Sequence, residues 1–327
     1  MSLSAFATEG TVKRIKLGIS ACLLGQKVRY DGGHKRDPFL VETFGRHVEF
    51  VPLCPEAACG LGVPREPLRL EKTGQGVRLV TVRTGSDMTG LVERYAAGLL
   101  DRLEGEALWG FIVKSRSPSC GPRVAVHGPG GQSKEKGLFL RMAEERFALL
   151  PVEDEKTLHL PEVREHFIRR LFTLKRWRDL VEGGPDRGRL LAFHGRHTLV
   201  LRAHSEAHCR EMGRLVARAG PCVPSELYAD YQRLLLGCVA RRTTARRHAA
   251  VLLHVMGRLK ERLTADEREE MEEVIGAFRA GDAPLIVPAA LINHFLRRDD
   301  AASLRDQFYL QFYLCPDPAE AALLYHA

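Results

Sequence analysis

No segment of this sequence is apolar enough to cross a membrane as a helix. Its 327 residues are 45% hydrophobic and 28% charged, and no stretch approaches the roughly 20 continuous apolar residues that a bilayer requires. The first ten residues, MSLSAFATEG, lack the basic segment and apolar core of a secretory signal. No internal repeat of fixed period is present. We therefore expect a globular protein of the cytoplasm without a membrane partner.

The sequence also lacks a pattern of paired cysteines. In a reducing cytoplasm, its eight cysteines are expected to remain thiols or metal ligands rather than form disulfides. Four of them lie among helix-like segments without paired spacing, and we interpret them as packing residues. These four are Cys209, Cys222, Cys238 and Cys315.

The net charge of +8 is distributed unevenly along the chain. Residues 190–260 contain 12 Lys and Arg against 4 Asp and Glu, whereas residues 261–327 contain 6 against 13. A basic block beside an acidic one suggests a surface that binds a polyanion, most commonly a nucleic acid. Solvated helix faces that are rich in arginine account for the same composition equally well.

The first half of the chain alternates strand-like and helix-like segments. An amphipathic helix is predicted at 88–103, between the last two of four predicted strands. These strands are 14–20, 48–53, 77–82 and 109–114. The strand–helix–strand order implies parallel pairing of the flanking strands. We therefore predict a layered α/β N-terminal domain in which helices flank a mostly parallel sheet.

The second half shows helical periodicity without convincing strands. A helix is predicted at 161–180, and the Gly-rich run 183–189 is the best linker candidate. Further helices are predicted at 190–219, 225–260, 266–281 and 288–298. The predicted organisation is an α/β domain at 1–182, a linker at 183–189 and an all-α domain at 190–327.

Cys22, Cys54 and Cys120 each follow a predicted strand, with spacings of 32 and 66 residues. Strand ends of an α/β sheet share one edge, so these thiols are expected to meet there. Three soft ligands at one place would hold a metal or an iron–sulfur cluster with a vacant coordination position. The alternative is that they are small buried apolar residues. Cys59 is either a fourth ligand or a packing residue.

The segments SACLLGQKVRYDGG, VPLCPE and KSRSPSCG resemble the signature segments of the thiouracil desulfidase family, over about residues 12–180. This resemblance implies a 4Fe–4S cluster that Cys22, Cys54 and Cys120 bind, leaving one iron open. It also implies catalytic roles for Glu56, which lies two residues after the second cysteine, and for Ser119, just before the third. The family assigns no ligand role to Cys59's position.

Desulfidation of a pyrimidine replaces C=S by C=O and releases sulfide, and an open iron is a thiophilic Lewis acid for that reaction. Glu56 is predicted to activate water, and Ser119 to donate a hydrogen bond to the ring carbonyl or relay a proton. Alternatively, Glu56 caps the helix that begins at Pro55, and Ser119 stabilises its turn. The predicted substrate-binding residues are Arg29, Asp31, Ser117 and Gly121.

Three segments of the second half resemble a helical domain that is often fused to the desulfidase domain. They are FHGRHTLVLRAHS, RRHAAVLLHVMGRLKERL and PLIVPAALINHFLRR. The arrangement is similar to the tRNA 4-thiouridine desulfidases of the RudS type, which implies tRNA containing 4-thiouridine as partner and substrate. Two arginine pairs about one helical turn apart suit neighbouring phosphates. The predicted tRNA-binding residues are Arg196, His197, Arg241, Arg242, Arg246 and Arg247.

Alternative interpretations stay open from the sequence. The enzyme would instead act on free thiolated pyrimidines such as 2-thiouracil, with the helical domain serving dimerisation or a protein partner. A non-enzymatic cluster protein that binds nucleic acid is the other alternative. The segment 127–137 is predicted to be a mobile loop, which is either a lid, an RNA contact or simply solvated. His204 and His254 are interpreted as buried hydrogen-bonding residues of a helical bundle.

Overall fold

The computed structural model describes residues 15–128, 133–220, 225–298, 302–314, 320, 323 and 324. The chain divides into two compact units between Pro161 and Glu162. Sheets form the centre of the first unit and helices form the second, as the predicted fold class requires. Within the ranges given above, no helix is long and apolar enough to cross a membrane.

The described part of the first unit contains two four-stranded sheets. Its strands are β1 (Ile15–Ser20), β2 (Val48–Leu53), β3 (Leu68–Thr73), β4 (Gly76–Thr81), β5 (Gly110–Val113), β6 (Val124–His127), β7 (Ser133–Glu135) and β8 (Val152–Asp154). The first sheet has the order β2-β1-β5-β8, and the second has the order β4-β3-β6-β7.

All strands of the first sheet are parallel. Leu17 and Ile19 on one face of β1 and Gly18 and Ser20 on the other are all buried, as expected for a strand covered on both faces. Gly18 permits close packing, because a Cβ atom there would lie 2.4 Å from Cδ1 of Phe111. Since β2, β1 and β5 are parallel neighbours, their carboxyl ends lie at the same edge of the sheet. The predicted mostly parallel sheet is confirmed.

The second sheet corrects one pairing that the sequence suggested. The strand predicted at 77–82 was expected to pair in parallel with 109–114, but β4 pairs antiparallel with β3 and β5 lies in the other sheet. The turn between Thr73 and Gly76 closes a tight hairpin, which is a more local connection than a helical crossover. The predicted loop 127–137 contains β7, and its residues 129–132 lie outside the described part of the chain.

Three helices accompany these sheets: α1 (Pro55–Ala58), α2 (Thr89–Glu104) and α3 (Leu138–Arg146). Leu99 and Leu100 of α2 belong to the apolar core of the first sheet, and Val92 belongs to that of the second. One helix therefore buries apolar surface from both sheets. Its bounds agree with the predicted helix at 88–103 to within a residue.

The described secondary structure of the second unit consists of helices joined by loops. Its helices are α4 (Pro161–Glu182), α5 (Arg187–His204), α6 (Glu206–Arg218), α7 (Ser225–Val239), α8 (Ala245–Leu259), α9 (Ala265–Ala280), α10 (Ile286–Arg298), α11 (Ala302–Arg305) and α12 (Phe308–Leu314). The segments predicted as single helices at 190–219 and 225–260 are each divided in two. Ser205 and Thr244 divide them, because their side chains accept the amides of His208 and Arg247 as N-caps.

The boundary between the units lies one helix before the predicted linker. In α4, Trp177 is fully buried, stacks on Tyr231 with ring centroids 5.0 Å apart, and donates from Nε1 to Gln232 Oε1 at 2.9 Å. α4 therefore packs with the helical unit. Residues 183–186 connect α4 to α5, and residues 187–189 of the predicted linker form the first turn of α5. A Gly-rich composition is as typical of a short connection between two helices as of a linker between two domains.

We expect the helical unit to lose stability in mild acid because it buries four histidines. Burial lowers the pKa of His166 and His248 to about 2, that of His204 to about 4 and that of His197 well below its usual value. Unfolding restores a pKa of about 6.5, so the unfolded chain binds more protons below that pH. Above about pH 6.5 these histidines should therefore not lower the free energy of unfolding. Below about pH 6.5 that free energy should decrease by about 1.4 kcal/mol per pH unit for each histidine.

This loss is measured by denaturant unfolding of the full chain at about pH 7 and about pH 5, followed by Trp177 fluorescence in a Trp109→Phe background. A His248→Gln variant, which removes one titrating group, should show a shallower pH dependence. An unfolding free energy that is equal at both pH values would contradict the prediction.

Candidate active site

The structure brings Cys22, Cys54 and Cys120 to one cavity of about 430 Å³ in the first unit. Cys22 lies in the turn after β1, Cys54 directly precedes α1 after β2, and Cys120 lies in the loop after β5. The amides of Gly137 and of the first turn of α3 donate to carbonyls of that loop, which fixes its path. A Cβ atom at Gly137 would lie 2.5 Å from the Ser119 carbonyl, so glycine is required there.

Burial controls the ionisation of these thiols. It raises the pKa of Cys22 to about 11, raises that of Cys54, and holds that of Cys120 well above its usual value. The charges of Lys114 and Arg29 oppose the effect at Cys22. The thiols are therefore neutral without a metal, and ligation would displace their protons.

The chemistry of the donor set fits an iron–sulfur cluster, because three unpaired thiols lie on one cavity wall and thiolates are the ligands of such clusters. Among the described residues, no group of three or more His, Cys, Asp or Glu side chains is arranged to hold one metal ion.

A fixed carboxylate shares the cavity with the thiols. Ser119 Oγ donates to Glu56 Oε1 at 2.9 Å, and Arg65 donates to Oε2 from Nη2 at 2.7 Å and from Nε at 3.2 Å. Arg65 Nη2 also donates to the carbonyl of Val28 at 3.0 Å, and the Arg65 side chain is only 5% exposed. Both oxygens of Glu56 are thus held by side chains, and the carboxylate does not cap α1.

Ser119 is fully buried and lies behind the cavity wall. Its hydroxyl donates to Glu56, whereas the predicted roles were a hydrogen bond to a ring carbonyl or a proton relay. It is therefore a positioning residue, which orients the carboxylate that faces the cavity.

The predicted substrate-binding residues divide into two pairs. Arg29 and Ser117 line the cavity. Ser117 Oγ also accepts from the amide of Cys120 at 3.2 Å, which stabilises the cysteine loop. The structure does not bring Asp31 or Gly121 to the wall. Asp31 Oδ1 accepts the Gly33 amide at 3.0 Å, and this bond is the largest cause that lowers the Asp31 pKa.

Gly121 has a packing role instead. A Cβ atom there would lie 2.8 Å from Val124 Cγ2 and 2.9 Å from the amides of Arg116 and Ser117. A side chain at this position would displace the loop that carries Cys120.

Sequence reasoning missed a buried ion pair beside the cavity. Lys114, which lines the wall, donates from Nζ to Glu155 Oε1 at 2.6 Å. Ser115 donates to Glu155 from its amide at 2.6 Å and from Oγ at 2.7 Å. Glu155 directly follows β8, whose carboxyl end lies at the same edge of the sheet as the ends of its parallel neighbours. Recognising β8 in the sequence would therefore have indicated Glu155 as a residue near the site. Arg65 lies in a loop, and no local pattern indicates it.

The cavity wall is basic overall. Glu56 is the carboxylate that lines it, against five cationic side chains: Arg29, Lys35, Arg65, Lys114 and Arg116. Arg65 is paired with Glu56 and Lys114 with Glu155. Positive charge of this kind stabilises thiolates and an anionic cluster that they hold.

Cys59 is a packing residue and not a fourth cysteine of the cavity wall. It lies in the apolar core of the second sheet with Leu70, Leu79 and Val126, away from the cavity wall. Its Sγ donates to the Glu56 carbonyl at 3.1 Å. Cys209 and Cys238 are also buried, as their packing interpretation requires, whereas Cys222 and Cys315 lie outside the described residues.

The predicted tRNA contacts in the helical unit have different environments. Arg196, Arg241, Arg242 and Arg246 are exposed, and Arg247 is half-buried. The first pair, 241 and 242, precedes α8 in a loop, so the two arginine pairs do not share one helix.

His197 is not available to RNA, contrary to the prediction. It is fully buried, stacks on Phe193 with centroids 3.9 Å apart, and donates from Nδ1 to the Phe193 carbonyl at 2.7 Å. His204 is buried as expected, and its Nδ1 donates to the Arg241 carbonyl at 2.6 Å. His254 is only half-buried, and its Nε2 accepts from Arg202 Nη1 at 2.9 Å.

Two family models match this chain. One, described as 2-thiouracil desulfurase, matches residues 17–155, and one described as a protein of unknown function, DUF1722, matches residues 199–313. The uncharacterized protein YbgA of Escherichia coli is 30% identical over 145 residues, which are 44% of this chain and 86% of that protein. The uncharacterized protein YbbK of Bacillus subtilis is 29% identical over 124 residues, which are 36% of this chain and 82% of that protein.

Among solved structures, the 4Fe–4S-dependent thiouracil desulfidase TudS is 32% identical to this chain. The match covers 46% of this chain and 95% of that chain, with a TM-score of 0.38.

Proposed function

Since this chain belongs to the 2-thiouracil desulfurase family through residues 17–155, we propose that it is a desulfidase that replaces the sulfur of a thiolated pyrimidine by oxygen. The observation that carries the proposal is one cavity lined by Cys22, Cys54, Cys120 and Glu56. The three cysteines would hold a 4Fe–4S cluster, with one iron left without a protein ligand. When bound, the cluster supplies a thiophilic Lewis acid.

The chain's own residues supply the proton transfer. Water adds to the thiocarbonyl carbon, a C–O bond forms, the C–S bond breaks and the sulfur leaves as sulfide. Glu56 faces the cavity, accepts one proton from that water and returns it to the departing sulfur. The second water proton leaves the hydroxyl of the adduct as the C=O bond forms, so the products are the carbonyl compound and hydrogen sulfide. Ser119 and Arg65 hold the carboxylate in one orientation, which limits the entropy lost on reaching the transition state.

A free thiolated pyrimidine such as 2-thiouracil is the first substrate form that we propose. A cavity of about 430 Å³ lies within the range of small-molecule sites. Arg29 and Ser117 on its wall provide hydrogen-bond partners for the ring heteroatoms.

The second form that we propose is 4-thiouridine in tRNA, converted to uridine. The exposed arginines Arg241, Arg242 and Arg246 support it, because they place unburied positive charge at the start of α8. Residues 190–260 contain 12 Lys and Arg against 4 Asp and Glu, so the positive charge is not limited to these three arginines.

The test is anaerobic reconstitution with iron and sulfide, followed by separate incubation with 2-thiouracil and with tRNA that contains 4-thiouridine. We expect loss of the thiocarbonyl absorbance together with release of sulfide. Release from the free base alone assigns the first substrate form, and release from the tRNA assigns the second. A fully loaded protein that releases sulfide from neither substrate would contradict the proposed function.

A further inference from the structure

A largely buried ion pair lies at the wall of the cavity that holds the three thiols. Lys114 directly follows β5, and Glu155 directly follows β8, the parallel neighbour in which Asp154 lies opposite Val113. The two side chains are only 15% and 8% exposed, so the pair is mostly withdrawn from water. Neither residue has a part in the proton transfer proposed for Glu56.

Each proton of the Lys114 ammonium group has an acceptor. Nζ donates to Glu155 Oε1 at 2.6 Å, to the Ser115 carbonyl at 2.9 Å and to Ser115 Oγ at 3.1 Å. Ser115 in turn donates to Glu155, from Oγ to Oε1 at 2.7 Å and from its amide to Oε2 at 2.6 Å. Because an ammonium group has three protons, these bonds use all of them. Lys114 is therefore a fixed charge rather than a donor to a bound substrate.

The positive end of this ion pair faces the cavity. Lys114 lines the cavity wall, whereas Glu155 is buried behind it. The ion pair of Arg65 and Glu56 is different, because both of its members line the wall and offset each other there. A charge in surroundings that exclude water acts more strongly on its neighbours than an exposed charge does.

The thiol of Cys22 lies within electrostatic range of this charge. β5 lies between β1 and β8, and Ile112 of β5 is opposite Ile19 of β1. Neighbouring strands are about 4.8 Å apart, so the turn that carries Cys22 begins beside Lys114. The Lys114 amide donates to Oγ of the buried Ser20 at 3.0 Å, which joins the two strand ends. Burial raises the pKa of Cys22 to about 11, and the charge of Lys114 opposes that rise.

Stability alone does not account for this arrangement. Withdrawing two charges from water costs free energy that their attraction only partly returns, and neutral side chains of similar volume are often as stable. An ion pair that is buried at a cavity wall, with its cation toward the cavity, is instead suited to stabilise negative charge inside it.

We propose that the Lys114–Glu155 pair holds a fixed positive charge beside the three thiols, and that this charge stabilises the negative charge of the metal site when the departing sulfur becomes sulfide. The departure of sulfide rests on the proposed function, whereas the fixed charge beside the thiols does not. Lys114 is thus a positioning residue that acts through the metal site without touching the substrate.

The test is the one-electron reduction potential of the full-length protein after anaerobic reconstitution with iron and sulfide, measured without substrate. Lys114→Met keeps the length of the side chain and removes its charge. We expect the reduced, more negative site to be destabilised by roughly tenfold, which is a shift of about 59 mV to more negative potential. Lys114→Arg, which keeps the charge, should restore most of the parental potential. A Lys114→Met variant with the parental potential would overturn the inference.

Glu155→Gln separates the effect of charge from that of structure. It removes the anion and leaves Lys114 two acceptors on Ser115, so the potential should shift to less negative values. An ion pair with a purely structural role would shift the potential of both variants in the same direction, and that result would also contradict the inference.

Lys16→Met is the matched control. Lys16 pairs with Glu49 and Glu106 near the amino end of β1, at the opposite end of the sheet from the thiols. This variant should keep the parental potential. If the potentials shift as expected and no thiopyrimidine releases sulfide, the fixed charge is supported and the proposed function fails, so the two failures are distinguishable.

Discussion

Replacing Cys22, Cys54 or Cys120 singly by serine is expected to abolish desulfidation in the reconstituted protein. Each thiol comes from a different strand end, so no neighbouring cysteine can take its place at the cavity wall. Loss of an outer-shell partner already costs metal sites about 10–100-fold in affinity or activity, and loss of a ligand should exceed that. The hydroxyl of serine is a hard donor that binds iron in a cluster poorly.

The measurement is iron and acid-labile sulfide per chain after anaerobic reconstitution, combined with sulfide release from a thiopyrimidine. Cys59→Ala is the matched control, because Cys59 packs in the second core without lining the cavity. It should retain the iron content of the parent, with a modest loss of stability. Normal iron in all three serine variants would refute the ligand assignment. Loss of iron in Cys59→Ala would identify a fourth ligand, which would close the site.

Replacing Glu56 by glutamine is expected to lower kcat by about 10²–10⁴-fold while the cluster stays bound. The amide has nearly the same shape, and its oxygen can still accept the hydrogen bond from Ser119. It cannot accept a proton from water. The loss should therefore appear in kcat, with a smaller change in KM, because proton transfer occurs in the transition state and not in substrate binding.

Ser119 provides the companion test for this carboxylate. Ser119→Ala leaves Glu56 held by Arg65 alone, so we expect a smaller loss of about tenfold in kcat. Ser119→Thr, which keeps the hydroxyl, should recover most of that loss, whereas a role in packing alone would not require the hydroxyl. A Glu56→Gln variant with parental kcat and parental iron content would exclude Glu56 as the base.

Part of the second sheet could have been found in the sequence. In β3, Leu68-Arg-Leu-Glu alternates apolar and polar residues, which is the pattern of a half-exposed strand. β7 offers no such signal, because its three residues are all exposed and only pairing with β6 makes them a strand. The pairing predicted for the strand at 77–82 was wrong because β3, its antiparallel partner, was not recognised as a strand.

The sequence by itself determined which thiols share an edge. Runs such as Ile15–Ser20 and Val48–Leu53 are apolar enough to be parallel strands of one sheet, and the carboxyl ends of such strands lie at the same edge. Tertiary structure alone decided which neighbours face the cavity. Cys54 and Cys59 are five residues apart, yet one lines the cavity and the other packs in a second core. Arg65 pairs with Glu56, and Lys114 pairs with Glu155. No local sequence pattern indicates either ion pair. Burial and ion pairing depend on residues distant in sequence, and only the folded chain brings them together.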